Sequence, residues 1–525
     1  MTASAHQPLR DLEQLEFDNS YSRFPEHFFH RVNPTPLEAP FLISVNTEVA
    51  QQLGIAPNSL DPEQLAQYFG GHKDLPGTSP LAMKYTGHQF GVYNPQLGDG
   101  RGLLLGELIA PDNKRWDLHL KGSGKTNYSR FGDGRAVLRS SIREYLISAA
   151  MQGLGIPTTQ ALCIIGSQES AIRDGMPEPC ATVLRVTECH IRFGHFEHFY
   201  YNQRYDDLRQ LSDYCLERYF PEYQDNDNPP LAMLQEVIRR SAYLVAQWQA
   251  YGFVHGVMNT DNMSLIGETF DYGPYQFMDA YKPHTISNHS DHQGRYAFQR
   301  QPDVMLWNLF CLAQCFVPLV ADDNLEAKKL LEDALDHYHM LYNRYYYGKT
   351  SQRLGLHPTV NPNLKPNQAP QLTASSEAEI SREDQNLIDD LMTLLESQQT
   401  DMTLFFRLLS EQPIAQQQQA LQQITPRPQA FEHWLNRYHQ HLELGSLNSQ
   451  EEEKRQQRMK QVNPVYLLRN YMAQEAISAA EKNDFTLLNQ LLPILSQPFI
   501  YHKQLAQYAG PAPDWAAGIC LTCSS

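Results

Sequence analysis

The feature that most constrains this chain is a change of texture near residue 205. Between Leu81 and about residue 200, short apolar runs alternate with glycine-rich breaks, whereas from Asp207 onward helical periodicity dominates. Strands followed by helices fit an α+β protein. Within the first part, Gly102–Leu108 and Trp116–Lys121 read as strands flanking the turn Pro111-Asp112-Asn113. Trp116, Leu118 and Leu120 share one face by period-two alternation. Leu162–Ile165 and Cys180–Val186 read as further strands, and Ala136–Leu154 as an amphipathic helix. Residues 1–75, with Phe24, Phe28 and Phe29 among prolines, read as an irregular segment packed on a larger body.

In the second part, Leu231–Tyr251, Asp303–Ala321, Asp384–Ser397, Asp401–Ser410 and Arg469–Lys482 read as helices, the last followed by a flexible tail. The stretch 355–380 reads as a linker or surface loop, and Gln416–Gln419 as a solvated helix face. There are no internal repeats. At 525 residues the chain has room for about three domains. The expected division is 1–80 (an N-terminal extension packed on the rest), 81–205 (strand-rich, nucleotide-binding), 206–440 (helical, with the catalytic and metal loops) and 441–525 (C-terminal helices and a cysteine-bearing tail).

The net charge of −17 disfavours duplex nucleic acid or an anionic membrane surface as a main partner. Locally the sign reverses: Leu81–His195 holds 13 Lys/Arg against 10 Asp/Glu, inside a chain with 42 against 59. Met1–Glu13 has neither an apolar signal core nor an Arg/Ser-rich pattern, which points away from export or organelle import. Val304–Val320 is the longest uncharged apolar run; its Asn308, Gln314 and Pro318 favour a buried helix over a membrane span. Eight cysteines are too few for a disulfide scaffold, and six read as small core residues. A reducing cytoplasm fits best. Cys520 and Cys523, in Cys-Leu-Thr-Cys near the end, stand apart from these six.

Four pieces carry chemistry, and their order matters more than any one of them. Gly98-Asp99-Gly100-Arg101-Gly102 leads into a strand; glycines let backbone approach phosphate oxygens, and Arg101 adds charge. Lys121 ends the alternating strand, and Glu144 lies on the next helix, a pairing that in the kinase fold aims a lysine at phosphates. Gly122-Ser123-Gly124-Lys125-Thr126 ends like a P-loop, but His119 stands where that motif needs glycine, so the P-loop reading is rejected. Asp133-Gly134 instead reads as a second nucleotide-facing loop. Arg185 and Arg192, each flanked by apolar residues, read as enclosed cations suited to a triphosphate.

The fourth piece is His255-Gly256-Val257-Met258-Asn259-Thr260-Asp261-Asn262 followed by Asp271-Tyr272-Gly273. Its His-to-Asn spacing matches a kinase catalytic loop, and Asp-aromatic-Gly matches the metal-binding motif. Val257, however, occupies the position of the kinase base, while Asp261 supplies another carboxylate. Asn262 and Asp271 offer oxygen ligands for Mg²⁺ or Mn²⁺. His289-Ser290-Asp291-His292 reads as loop polarity rather than a zinc site.

With LGDGRG (97–102), LKGSGKTNYSRFGDGRAVLRSSIREYL (120–146), HGVMNTDNMS (255–264), DYGPYQFMDAY (271–281), NHSDHQGRY (288–296), NPVYLLRNYMAQEAI (463–477) and CSS (523–525), the sequence resembles the selenoprotein O family. These are pseudokinase-like protein adenylyltransferases, and Cys523 stands where some members carry selenocysteine. The resemblance implies a two-lobed protein-kinase-like fold that binds ATP in reverse. AMP would then be transferred to Ser, Thr or Tyr hydroxyls of proteins, with self-modification left open, and pyrophosphate released. It implies that Gly98, Gly100, Arg101, Lys121, Asp133, Gly134, Arg185 and Arg192 contact ATP. Glu144 would position Lys121, Asp261 would be the base, and Asn262 with Asp271 would hold Mg²⁺ or Mn²⁺. UTP with Mn²⁺ remains open as a substrate, since nothing visibly reads the base. Some members have a cysteine before the Asn-His-Ser-Asp loop that could pair with the C-terminal one; Ser287 stands there, so a Cys520–Cys523 redox pair, or pairing elsewhere, is the substitute expectation. A γ-phosphate kinase and a non-catalytic nucleotide-binding scaffold are the alternatives; Val257 argues against the first, and the retention of Asp261, Asn262 and Asp271 together against the second.

Overall fold

The computed structural model describes residues 9–356, 380–442, 448–519 and 521. Strands β1 (Glu16–Phe17), β2 (Phe29–Arg31), β3 (Phe41–Val45), β4 (Leu81–Met83), β5 (Gly87–Gln89), β6 (Val92–Asn94), β7 (Gly102–Ile109), β8 (Arg115–Lys121), β9 (Ala136–Val137), β10 (Gln160–Arg173) and β11 (Met176–Thr187) come first. Two-residue strands β12 (Phe253–Val254) and β13 (Gln276–Phe277) pair inside the helical part. The fold is mixed α and β, with one large antiparallel sheet ordered β2-β4-β7-β8-β11-β10-β3; β1 adds beside β7 and β9 beside β11.

Two differences from the sequence reading concern this sheet. The N-terminal segment contributes β1, β2 and β3 to it rather than only packing on it. These strands are two to five residues long, too short to display an alternating pattern. The β10–β11 hairpin is also longer than the apolar runs suggested. It extends into exposed residues around Asp174-Gly175, both at positive φ (49° and 80°), the residue pair a tight hairpin turn favours.

Helices α1 (Thr47–Gln52) and α2 (Pro62–Phe69) cover one face of the sheet, burying Val49, Leu65 and Phe69 against Leu103, Trp116, Leu118, Leu120 and Leu184. Helix α3 (Leu138–Gly153) covers the other face and joins a larger core shared with α4 (Phe193–Tyr201), α5 (Tyr205–Tyr219), α6 (Pro229–Tyr251) and α7 (Gln301–Val320). The boundaries of α6 follow from sequence: the Asn228 side chain accepts from Leu231 N–H, Pro229 and Pro230 occupy the first turn, and Gly252 ends the helix at φ 73°. Helix α7 contains the long apolar run. The helical stretch Phe298–Val320 is long and apolar enough to cross a membrane, yet 61% of its most apolar window is buried within the protein. It is a core helix of this fold.

Helix α3 is not amphipathic but buried almost all round. Its outer side is covered by a helix at Thr486–Ser496, where the sequence reads as flexible tail. Pro493 inside that helix is the misleading signal. The packing is tight: a Cβ on Gly153 would sit 2.2 Å from the Leu495 carbonyl oxygen. A third core joins Leu387, Phe405, Phe406, Trp434, Tyr438 and Met459 from the later helices. Gln417, expected on a solvated face, is buried and donates to the Leu409 and Gln412 carbonyls. Cys163, Cys180, Cys189, Cys215, Cys311 and Cys315 are buried free thiols. Cys520, Cys523 and most of the stretch 355–380 lie outside the described residues.

Candidate active site

The polar face of β8 organises the site. Opposite Trp116, Leu118 and Leu120 it carries Asp117, His119 and Lys121, all buried. His119 pairs with Arg185 of β11 and Lys121 with Val183, which puts Lys121 and Arg185 on the same face, offset by two residues. Glu144 of α3 meets both. Its Oε2 accepts from Lys121 Nζ and from Arg185 Nη2 (3.1 Å), and its Oε1 accepts from Arg185 Nε. Burial alone would raise the Glu144 carboxyl, but Arg185 and Lys121 outweigh it and hold it down to about 2. Burial pulls the Lys121 ammonium down to about 8; Glu144 opposes this, while Arg101 and Arg185 add to it. Both shifts are downward, which favours the charged form of Glu144 but disfavours that of Lys121, because Glu144 collects two cations, whereas Lys121 shares its carboxylate and faces two like charges.

Two glycine-containing loops border this cluster. Gly98 sits at φ 136°, and a Cβ there would lie 2.5 Å from the Tyr128 ring. Gly134 at φ 74° would place one 2.1 Å from Gly124 backbone. Glycine is required at both. Thr126 Oγ1 donates to the Asp99 carbonyl (2.6 Å), Ser129 Oγ to the Gly100 carbonyl, and Gly122 N–H to the Arg101 carbonyl (2.7 Å), so residues 98–102 and 122–135 form one bordering unit. The Arg101 side chain is exposed. Asp133 is engaged elsewhere: Arg173 donates to both its oxygens (2.7 and 2.8 Å), and these bonds hold its carboxyl below the usual range. Among the described residues it makes no hydrogen bond or ion pair with Lys121, Arg185 or Arg192.

The loop 255–273 closes the other side. His255 is buried against Trp248, receives no charge from its surroundings, and reaches the Phe270 carbonyl with Nε2 (3.2 Å); burial drops its imidazole to about 4. A neutral His255 thus fastens residues 255–262 to 270–273. Thr260–Asn262 forms a 3₁₀ turn that presents Asp261 and Asn262 together. Arg192 Nη1 donates to the Asp261 carbonyl (2.7 Å) and to Asp271 Oδ2, with its guanidinium between the Tyr85 and Phe270 rings at 4.8 and 4.5 Å. Arg185 Nη1 donates to Asp271 Oδ1 (2.7 Å), and Asn262 Nδ2 to Asp271 Oδ2 (3.2 Å). Asp271 holds φ 58°, a left-handed conformation unusual for a non-glycine residue. Lys121, Glu144, Arg185, Arg192, Asp261, Asn262 and Asp271 therefore form one continuous polar cluster.

Asp261 has a distinct environment. Its Oδ2 accepts from Gln89 Nε2 (3.2 Å), while Oδ1 is buried with no hydrogen-bond partner among the described residues. Burial raises its carboxyl to about 6, against the pull of Arg192 and the Gln89 bond. Gln89 is a residue that the motif search missed. It lies on the β5–β6 hairpin, which packs on the 260–262 turn: His88 N–H donates to Thr260 Oγ1 (2.7 Å), and Phe90 N–H to Asn259 Oδ1 (3.2 Å). A Cβ on Gly87 would meet Thr260 Oγ1 at 2.9 Å, and one on Gly194 the Thr86 carbonyl at 2.1 Å. Three-residue strands leave little periodic signal; the available hint was glycine at 87 and 91 bracketing a polar, aromatic stretch. The His289–His292 segment behaves as loop polarity: buried Asp291 accepts from Arg295 and Tyr296 N–H. Leu521 of the tail reaches this loop, its carbonyl accepting from His289 N–H (3.2 Å).

Residues 11–496 match the family model described as protein adenylyltransferase SelO. The chain belongs to this family. It is an enzyme, a protein nucleotidyltransferase, as the cluster around Asp261 and Asp271 led one to expect. Among similar proteins, the protein nucleotidyltransferase YdiU of Hahella chejuensis is 52% identical, with 100% of both chains covered. Those of Photobacterium profundum and Pseudomonas fluorescens are each 44% identical, covering 98% of this chain and 100% of theirs.

Proposed function

We propose that this enzyme transfers AMP from ATP to Ser, Thr or Tyr hydroxyls of protein substrates, itself among them, and releases pyrophosphate. The observation that carries the reading is the environment of Asp261: a buried carboxylate with one unpartnered oxygen, beside the cationic cluster, where Val257 leaves the usual kinase base position without a carboxylate. In this reading the chain is two-lobed and kinase-like, with residues 81–205 holding the nucleotide and 206–440 the catalytic and metal loops; 1–80 and 441–525 flank them. Gly98, Gly100 and Gly134 allow close backbone approach to the triphosphate, with Arg101 and Asp133 at the border. Lys121, Arg185 and Arg192 neutralise charge on the phosphates, with Lys121 and Arg185 aligned by Glu144. Asp261 orients the attacking hydroxyl and takes its proton as the hydroxyl oxygen bonds the α-phosphorus and the bond to pyrophosphate breaks.

A Mg²⁺ or Mn²⁺ ion would be held by Asn262 and Asp271. Asn262 Oδ1 is buried without a hydrogen-bond partner among the described residues, and the donor set is all oxygen, which suits a hard cation. Such an ion supplies Lewis-acid neutralisation of the phosphates. Asp271 oxygens are shared at present with Arg185 and Arg192. A cation held there would share this carboxylate with the two arginines, whose guanidinium groups face the phosphate site. The reading also takes the protein to be cytoplasmic.

Intact-mass analysis after incubation with ATP and Mg²⁺ or Mn²⁺ tests the proposal, with label carried on either the α- or γ-phosphate. A gain of one AMP with α-label retained is expected, and Asp271→Ala abolishes it. A gain of one phosphate carrying γ-label would mean kinase activity, and nucleotide binding without any labelling a scaffold. Parallel incubation with UTP and Mn²⁺ reads base selectivity.

A further inference from the structure

Behind the β5–β6 hairpin, on the side away from Gln89 and Asp261, three metal-ligating side chains converge from three different elements. His88 comes from β5, Glu197 from α4 and Cys311 from α7. Their donor atoms all lie within 4.8 Å of one another, and His88 Nδ1 is already 3.1 Å from Glu197 Oε2. Tetrahedral zinc with nitrogen, oxygen and sulfur ligands requires donor separations of about 3.3–3.7 Å, so a contraction of about 1 Å completes the set.

A second observation points to a missing ligand. Glu197 is 0% exposed, and its Oε1 has no hydrogen-bond partner among the described residues. A carboxylate buried in the core with one oxygen unanswered is costly, and a histidine on its other oxygen compensates only half of it. Cys311 is also buried, and Trp307 meets the His88 ring edge-on at 5.4 Å. Imidazole, carboxylate and thiol together suit a borderline divalent ion such as zinc better than magnesium or calcium.

We propose that His88, Glu197 and Cys311 form a zinc-class metal site, distinct from the Asn262–Asp271 pair, that clamps the β5–β6 hairpin onto α4 and α7. Three protein donors leave one coordination position for water. Coordination displaces the thiol proton of Cys311, so binding tightens as pH rises. His88 N–H is bonded to Thr260 Oγ1, and Gln89 is its neighbour; the clamp therefore fixes the backbone that delivers Gln89 to Asp261. It is a positioning device, and the site lies outside the reacting atoms.

The test uses the full-length protein free of nucleotide. Zinc content is measured by mass spectrometry of the metal after dialysis, and cobalt(II) is titrated into stripped protein while the sulfur-to-cobalt charge-transfer absorption is followed. The expected result is one equivalent of metal and a charge-transfer band in the wild type. The band should persist in a Cys520→Ser/Cys523→Ser double variant and in Asp271→Ala, and vanish in Cys311→Ser. His88→Ala, at a half-buried hairpin position, should bind cobalt(II) at least about tenfold more weakly. A wild type that takes up no zinc or cobalt, a band that survives Cys311→Ser, or full affinity in His88→Ala overturns the assignment.

Discussion

Lys121 offers the sharpest test of the proposed nucleotide site, because burial has left its ammonium under-compensated. Held down to about 8, it is roughly nine-tenths charged at pH 7 and one-tenth charged at pH 9. A triphosphate laid beside it would restore a value of about 10.4 and so require the charged form throughout that range. The sign follows from linkage: the complex binds more protons than the free enzyme above pH 8, so affinity falls as pH rises. Between pH 7 and 9 the loss is about tenfold, or ~1.4 kcal/mol. Isothermal titration of a non-hydrolysable ATP analogue with Mg²⁺, in buffers of different protonation enthalpy, should show proton uptake approaching one per nucleotide at pH 9. The neighbouring Tyr85 phenol is raised by burial and stays protonated in this window, so it does not contribute. Lys121→Arg, whose guanidinium does not titrate, should flatten the profile. A wild-type affinity that is constant from pH 7 to 9, or an equal fall in Lys121→Arg, would refute the reasoning.

Other outcomes follow from the same cluster. Asp261→Ala should lower turnover about 10²–10⁴-fold with a smaller change in ATP affinity. In the wild type, turnover should rise with pH through about 6 as Asp261 loses its proton; a rate-against-pH profile with no such limb removes it from the role. Glu144→Gln leaves Lys121 and Arg185 buried without their shared carboxylate, which costs about 3–5 kcal/mol of stability at neutral pH. Because Glu144 is depressed in the folded protein, its contribution is complete above about pH 4.5 and declines toward about 2. Thermal melts of variant and wild type should therefore converge as pH falls through that interval. Gly153→Ala gains about 1 kcal/mol of helix propensity but drives a Cβ into the Leu495 carbonyl. Overpacking of about 1–3 kcal/mol should win, giving a lower melting temperature.

How legible this protein was depends on the length scale of each interaction. Lys121 and Glu144 could be paired from sequence because a strand of clean alternation and a long helix each announce themselves, and one loop joins them. The 255–273 stretch was legible for a different reason: its polar groups are local, with Asp261, Asn262 and Asp271 confined to about ten residues that the fold brings into one cluster. What sequence left dark was contributed at long range by short elements. Gln89 reaches Asp261 across 172 positions from a three-residue strand, and Tyr85 stacks on Arg192 from a segment with no periodicity. Helix 486–496 was hidden by its proline, and α3 was read as half-exposed because its outer cover lies more than 300 residues further along. The same asymmetry applies to charge. A sequence can show that Arg185 and Arg192 are enclosed, but only the fold shows them sharing Asp271 with each other. That sharing makes the carboxylate the hinge of the proposed chemistry: it answers two arginines now, and a bound cation would compete with them for its oxygens.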